Sequence, residues 1–256
     1  MTHQLIPFLK RLRLSGVLET LEVRNQQAID GKWTYVEFLA RLLEDEVERR
    51  AQKQLALRIR RATINTTKTL EGFDFAFNPT INRQQVLDLA TCTYIRQKRN
   101  VLICGPTGVG KSHLAQALTH EACRRGYTAL FVNTYRMLQN LNGGRADDTF
   151  ERRLQTYLRP DLLVLDDFGL KPLRPPAPED FYDVINERYE RGSILLTSNR
   201  PPEEWPDLFG DPLLASAGLD RLTHGAAAVV ITGTSFRAHG SRFPEKEVHI
   251  ESSDTP

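Results

Sequence analysis

The sequence predicts an α/β fold, a parallel sheet with helices on both faces, preceded by a small all-α region. Three observations carry that prediction. From about residue 100 onward, short apolar runs alternate with stretches of helical periodicity. The first of these runs, Val101-Leu102-Ile103-Cys104, leads straight into a glycine-rich turn and then a helix-forming stretch. The first 65 residues carry helical spacing instead.

Taken in order, Leu5, Phe8, Leu9 and Leu12 repeat at helical spacing, and Leu18 and Leu21 continue it past a break at Ser15-Gly16. A short helix pair is expected there, ending at an Asp30-Gly31 turn. Thr34-Tyr35-Val36-Glu37 is a capping box that opens a long helix reaching about residue 61. Val36, Leu39, Leu42, Leu43 and Val47 are expected on its apolar face. Its later half turns basic, and residues 1–70 hold 13 Lys/Arg against 8 Asp/Glu in a chain of net charge +2. Contact with DNA phosphates and a solvated face with nearby Glu partners both account for that run. Phe73, Phe75 and Phe77 alternate along a connector, where they either stack bases or, as is commoner, pack the connector onto the next domain. A helix over about 83–96 follows.

The remaining strands are expected at residues 128–132, 162–165, 193–198 and 228–231, with helices over 150–158 and 179–191 between them. Pro172 to Pro178 forms a stiff loop. Strands in this order imply a parallel sheet, with ligand-binding residues at the strands' carboxyl ends. Asp166, Asp167 and Asn199 fall at those ends.

The chemistry centres on Gly105-Pro106-Thr107-Gly108-Val109-Gly110-Lys111-Ser112, a full G-x-x-x-x-G-K-[ST] match placed between strand and helix. Glycines allow several N–H groups to converge on one phosphate, and the helix adds its positive end. A nucleoside triphosphate is implied. Lys111 would reach the β- and γ-phosphates, and the Ser112 hydroxyl would sit on Mg²⁺. Four apolar residues followed by Asp166-Asp167 complete the site: Asp166 holds Mg²⁺ through its water shell, and Asp167 orients the attacking water. Asn199 either bonds the same water or the γ-phosphate, or starts the turn at Arg200-Pro201-Pro202. Arg221 either reaches a phosphate bound by a neighbouring subunit or is a surface arginine paired with Asp220.

Composition limits the alternatives. No apolar run approaches membrane-spanning length, and the N-terminus lacks the apolar centre of a signal peptide. The three cysteines have no metal-ligand spacing and read as buried or incidental thiols in a reducing cytoplasm.

Several segments together resemble the IstB-like ATPases, helpers of insertion-sequence transposons related to DnaC-type helicase loaders. They are Gly105 through His113-Leu114-Ala115, Leu162-Leu163-Val164-Leu165-Asp166-Asp167-Phe168-Gly169 and Leu195-Leu196-Thr197-Ser198-Asn199-Arg200-Pro201. Trp205-Pro206-Asp207-Leu208-Phe209-Gly210-Asp211-Pro212, Leu219-Asp220-Arg221-Leu222-Thr223-His224 and Gly233-Thr234-Ser235-Phe236-Arg237 add to them. The resemblance spans about residues 5–238. It implies an AAA+ P-loop NTPase core without a C-terminal lid domain, ATP and Mg²⁺ as cofactors, and Mg-dependent hydrolysis. It further implies homo-oligomers assembled with ATP on duplex DNA, and a transposase partner. On it, Asn199 is the sensor residue, Arg221 the arginine finger and Arg237 a further nucleotide contact, with His113 closing the loop motif. The domains expected are a helical DNA- or partner-binding region (1–65), an ATPase domain (66–240) and a disordered tail (241–256). The family often has Asp-Glu where this chain has Asp166-Asp167. A helicase loader is the nearest alternative.

Overall fold

Five short apolar strands set the architecture: β1 (Val101–Cys104), β2 (Ala129–Asn133), β3 (Leu162–Phe168), β4 (Ser193–Ser198) and β5 (Ala227–Val230). In this computed structural model, which describes residues 2–236 with side chains from residue 4, they form one sheet in the order β2-β3-β4-β1-β5. Every pairing is parallel. The three inner strands are buried almost throughout, and the edge strands β2 and β5 are partly open. That is the burial expected of a sheet covered on both faces.

Alternation along the strands divides the core in two. Val101, Ile103, Leu162, Val164, Leu195 and Val229 face α4 (Arg83–Ala90), α5 (Thr93–Arg96) and α6 (Lys111–Arg124). Leu102, Cys104, Leu163, Leu165, Ile194 and Leu196 face the other way. There they meet α7 (Thr134–Ala146), α8 (Phe150–Leu158), α9 (Ala177–Arg188) and α10 (Pro212–Thr223). All three cysteines are buried and unpaired, and burial pushes each thiol up to about 11.

Ahead of the sheet lie α1 (Thr2–Arg11), α2 (Ser15–Gly31) and α3 (Tyr35–Ala62). Thr34 and Glu37 make the reciprocal capping box at the start of α3. The expected apolar face of α3 is not its buried one. Leu42 is buried, whereas Val36, Leu39, Leu43 and Val47 are 48–77% exposed. The reason lies in α2, which approaches along the Leu42–Glu46 stripe. Gly16 sits so close to the Glu46 backbone that a Cβ would overlap it. Buried Glu46 accepts from Gly16 N at 2.6 Å and so caps α2 from another helix. Arg24 adds a bidentate pair to Asp45 at 2.7 and 2.9 Å. Further along, Leu55, Ile59 and Ala62 of α3 pack on the sheet side of the core.

Three other expectations are corrected. Helix 83–96 is broken at Thr91-Cys92, where Cys92 turns left-handed (φ 60°) without a glycine or proline to announce it. The third strand runs on through both acids to Phe168, with a register shift between Leu165 and Phe168. The helix after the proline-rich loop starts at Ala177 and ends at Arg188. Among the connector aromatics, Phe73 and Phe75 meet edge to face at 4.8 Å and pack on the core, as the packing alternative expects. Among the described residues, no helix is long and apolar enough to cross a membrane. Arg237 and the expected tail at 241–256 lie outside the described residues.

Candidate nucleotide-binding site

The phosphate loop leaves the end of β1 and closes at the first turn of α6. Gly105 N donates to Ser198 O at 3.1 Å, pinning the loop's first residue beside the end of β4. A Cβ at Gly105 would overlap Ile231 O, and one at Gly108 (φ 86°) would overlap Ser235. These two glycines are therefore required by close approach of the chain after β5, which Phe236 N fastens to Gly108 O at 3.0 Å. Val109 is a buried anchor, and Pro106 and Thr107 are exposed at the loop's tip. Lys111 is 7% exposed, and its Nζ donates to Pro106 O at 2.7 Å, which holds the ammonium over the loop. His113 turns away from the tip, with Nε2 3.2 Å from Thr69 O and the ring edge-on to Phe73. Burial of this imidazole lowers its pKa, only partly offset by the Thr69 contact.

Facing the loop, the strand irregularity in β3 aims the two acids in different directions. Asp166 is buried, and its carboxyl pKa is raised above the usual range chiefly by desolvation and also by Asp167. Hydrogen bonds from Thr197 and Ser112, and the charge of Lys111, oppose that rise. The same interactions place Ser112, Lys111 and Asp166 together. Asp167 adopts a left-handed backbone (φ 59°), and its carboxylate accepts from Asn133 Nδ2 at 3.2 Å. Thr197 clamps both acids: its hydroxyl donates to Asp166 Oδ1 at 2.5 Å and accepts from Asp167 N at 3.0 Å. Asn199 follows β4, half-buried, with an Oδ1 that is buried and has no hydrogen-bond partner.

A divalent cation fits this donor set. Buried, burial-strained Asp166 is a carboxylate that gains from a cation, and the Ser112 hydroxyl lies beside it. No cluster of three or more His, Cys, Asp or Glu among the described residues could hold a metal unaided. The remaining ligands would be phosphate and water oxygens, as suits Mg²⁺. Asp166 thus opposes folding in exchange for its chemistry. Asp166→Asn should raise the melting temperature of the nucleotide-free protein at neutral pH by ~2–4 °C, about 1 kcal/mol, measured by calorimetry.

Asn133 and Thr197 carry no signal of this site in the sequence. In the structure Asn133 caps a helix: its Oδ1 accepts from Tyr135 N and Arg136 N at the start of α7. Its second contact, to Asp167, exists because β2 lies next to β3. Trp205 is also structural. It is fully buried against Phe168, and its Nε1 donates to Ser198 Oγ and Arg200 O, both at 3.2 Å.

Arg221 is not brought to this site. It lies near the C-terminal end of α10, its guanidinium donating to Ala217 O at 2.8 Å and resting 5.8 Å from the Tyr182 ring. It lines a pocket with Asn100 and Ile194, at the amino ends of β1 and β4, the opposite end of the sheet from the loop. No ion pair with Asp220 forms among the described residues.

Comparison with known proteins bears on this geometry. Residues 8–243 match the family described as IstB-like ATP binding protein. The chain belongs to this IstB-like family. It is 40% identical over 230 residues to a protein of Mycobacterium tuberculosis described as an ATP-binding protein in an insertion sequence, covering 90% of this chain and 92% of that one. To the IS21 ATP-binding protein of Pseudomonas aeruginosa this IstB-like chain is 37% identical over 240 residues, 94% and 91% of the two chains. Among solved structures, AMPPCP-bound DnaA from Aquifex aeolicus superposes with a TM-score of 0.55 at 26% identity. That match covers 66% of this IstB-like chain and 51% of DnaA. DnaI gives a TM-score of 0.56 at 20% identity over 64% and 90%, a likeness of fold. The fold is therefore the AAA+ type seen in these ATP-binding relatives, preceded by a helical N-terminal region.

Proposed function

We propose that this chain is an ATPase that helps DNA transposition, assembling with ATP on duplex DNA and recruiting or stimulating a transposase. The observation that carries the reading is the separation of Arg221 from the phosphate loop, at opposite ends of one sheet. A site that has Lys111 but lacks this arginine within one copy gains it only where two copies meet head to tail. ATP binding then favours assembly, because binding energy is available only there. The insertion-sequence setting of the relatives supports the transposition role.

In the bound state Lys111 and the loop amides hold the phosphates; Ser112 and Asp166 would hold Mg²⁺, which would supply neutralisation of the phosphate charge. Asp167 orients the attacking water, Asn199 directs its unpartnered Oδ1 or its amide toward water or phosphate, and Arg221 of the adjoining copy faces the developing charge. Hydrolysis releases the assembly. Residues 1–65 form the DNA- or partner-binding region and 66–240 the ATPase domain. Lys53, Arg60 and Arg61 of α3 are exposed and have no ion-pair partner among the described residues, as phosphate contacts require. Arg49 and Arg50, by contrast, pair with Glu19 and Glu46.

Sedimentation with duplex or single-stranded DNA, each with ATP or ADP, tests this directly. Large complexes formed with duplex and ATP alone are expected. Preference for single strands would replace the reading with a helicase loader, and no nucleotide-dependent assembly would remove it. A second expectation concerns Asn133. Asn133→Ala should cost about 1 kcal/mol of stability through the lost cap. It should also slow hydrolysis about tenfold or more by releasing Asp167, with ATP affinity held within roughly twofold. Steady-state kinetics beside equilibrium ATP binding separates the two effects.

A further inference from the structure

The end of the sheet away from the phosphate loop carries a concentration of positive charge. A pocket of about 240 Å³ opens there between the turn entering β1 and the C-terminal end of α10. Lys98, Arg99, Arg188, Arg221 and His224 contribute to its lining, against one carboxylate, Glu190. Arg188 serves the fold: buried, with burial holding its pKa down to about 10, it donates to five backbone carbonyls between residues 157 and 193. Lys98 and Arg99 have no such employment, and Arg221 gives one bond to Ala217 O and rests over Tyr182. None forms an ion pair among the described residues, and Lys98 and Arg99 are exposed. Three cations gathered at one mouth repel one another and attract an anion.

The surrounding backbone is fixed. Lys98 N donates to Ile95 O at 3.2 Å and Arg99 N to Tyr94 O at 2.9 Å, the turn that closes α5. Asn100 then ties this turn to the rest of the pocket: its amide donates to Leu222 O, next to Arg221, and its Oδ1 accepts from Ile194 N. The lysine turn and the arginine helix end are held in one rigid frame. In a head-to-tail pair of copies, the loop end of one sheet meets this end of the next.

We infer that the pocket is an anion subsite completed between copies, in which Lys98, beside Arg221, supplies a second positive charge to the terminal phosphates of the nucleotide held by the adjoining copy. The inference rests on the reading of Arg221 as acting across copies.

The backbone offers a clean test. Lys98 is left-handed (φ 58°), the conformation glycine favours at the end of a helix, so Lys98→Gly removes the charge without straining the turn. In the full chain, Lys98→Gly should melt no lower than the parent and bind ATP within roughly twofold. It should hydrolyse ATP about tenfold or more slowly, and Lys98→Arg should keep most of the activity. Mixing decides the direction of action. Asp167→Asn leaves Lys98 and the loop intact while removing the water-orienting acid. Mixed with Lys98→Gly, it should restore part of the hydrolysis, because every Lys98→Gly site that adjoins an Asp167→Asn copy gains a lysine from it. Unchanged hydrolysis in Lys98→Gly overturns the inference, and so does a loss that mixing does not repair. So does a weaker, less salt-dependent affinity for duplex DNA without nucleotide, which would assign Lys98 to DNA phosphates instead. Absence of ATP-dependent assembly in the parent would instead remove the cross-copy role of Arg221, and this inference with it.

Discussion

Lys111→Ala should lower affinity for ATP by about two orders of magnitude and abolish nucleotide-driven assembly. The expectation follows from how little else in the loop carries charge. Lys111 is the cation of the phosphate loop, 7% exposed and held over it by Pro106 O. The glycines contribute amide dipoles, which position phosphates without neutralising them. Arginine should not rescue the variant, because its planar fork is wider than the compact ammonium that Pro106 O holds over the loop. Titration calorimetry with ATP and sedimentation with duplex DNA and ATP read the two losses separately. Retained affinity with lost assembly would mean that the lysine reports nucleotide rather than holding it.

Arg221→Ala should leave ATP binding nearly intact and slow hydrolysis by about a thousandfold or more, the range set by arginine fingers that act on developing phosphate charge. Binding is spared because the residue sits at the far end of the sheet from its own loop. Folding should be spared as well, since the side chain is half-buried and is held by one bond to Ala217 O and the face of Tyr182. Single-turnover kinetics on preassembled protein gives the chemical step. A variant that hydrolyses at the parent's rate would sink the cross-copy finger, whatever its effect on assembly.

The phosphate loop is legible in the sequence because backbone geometry dictates it: the chain after β5 leaves no room for a Cβ at Gly105 or Gly108. The acids ending the third apolar run and Asn199 are legible because parallel strands gather their carboxyl ends on one side. Asn133 and Thr197 are not, since their contacts to Asp167 and Asp166 follow from β3 lying between β2 and β4, an order that local pattern does not encode. The orientation of α3 is hidden for a related reason. Val36, Leu39, Leu43 and Val47 satisfy helical spacing, but the buried stripe is chosen by a small residue on another helix, Gly16, and by the carboxylate that caps it. The break at Cys92 carries no glycine or proline and so leaves no local mark.

One continuous helix, α3, grips Gly16 through Glu46 in its middle and the sheet through Leu55, Ile59 and Ala62 near its end, while Arg58 donates to Cys123 O at the close of α6. It therefore behaves as a strut of about 42 Å rather than a tether. Rotational phase is then inherited along it: one residue inserted between Glu46 and Leu55 would turn the first half, with α2 held on it through Glu46, by about 100° relative to the sheet. Which way the N-terminal helices point is thus governed by helical pitch counted back from the helix that carries the phosphate-loop lysine.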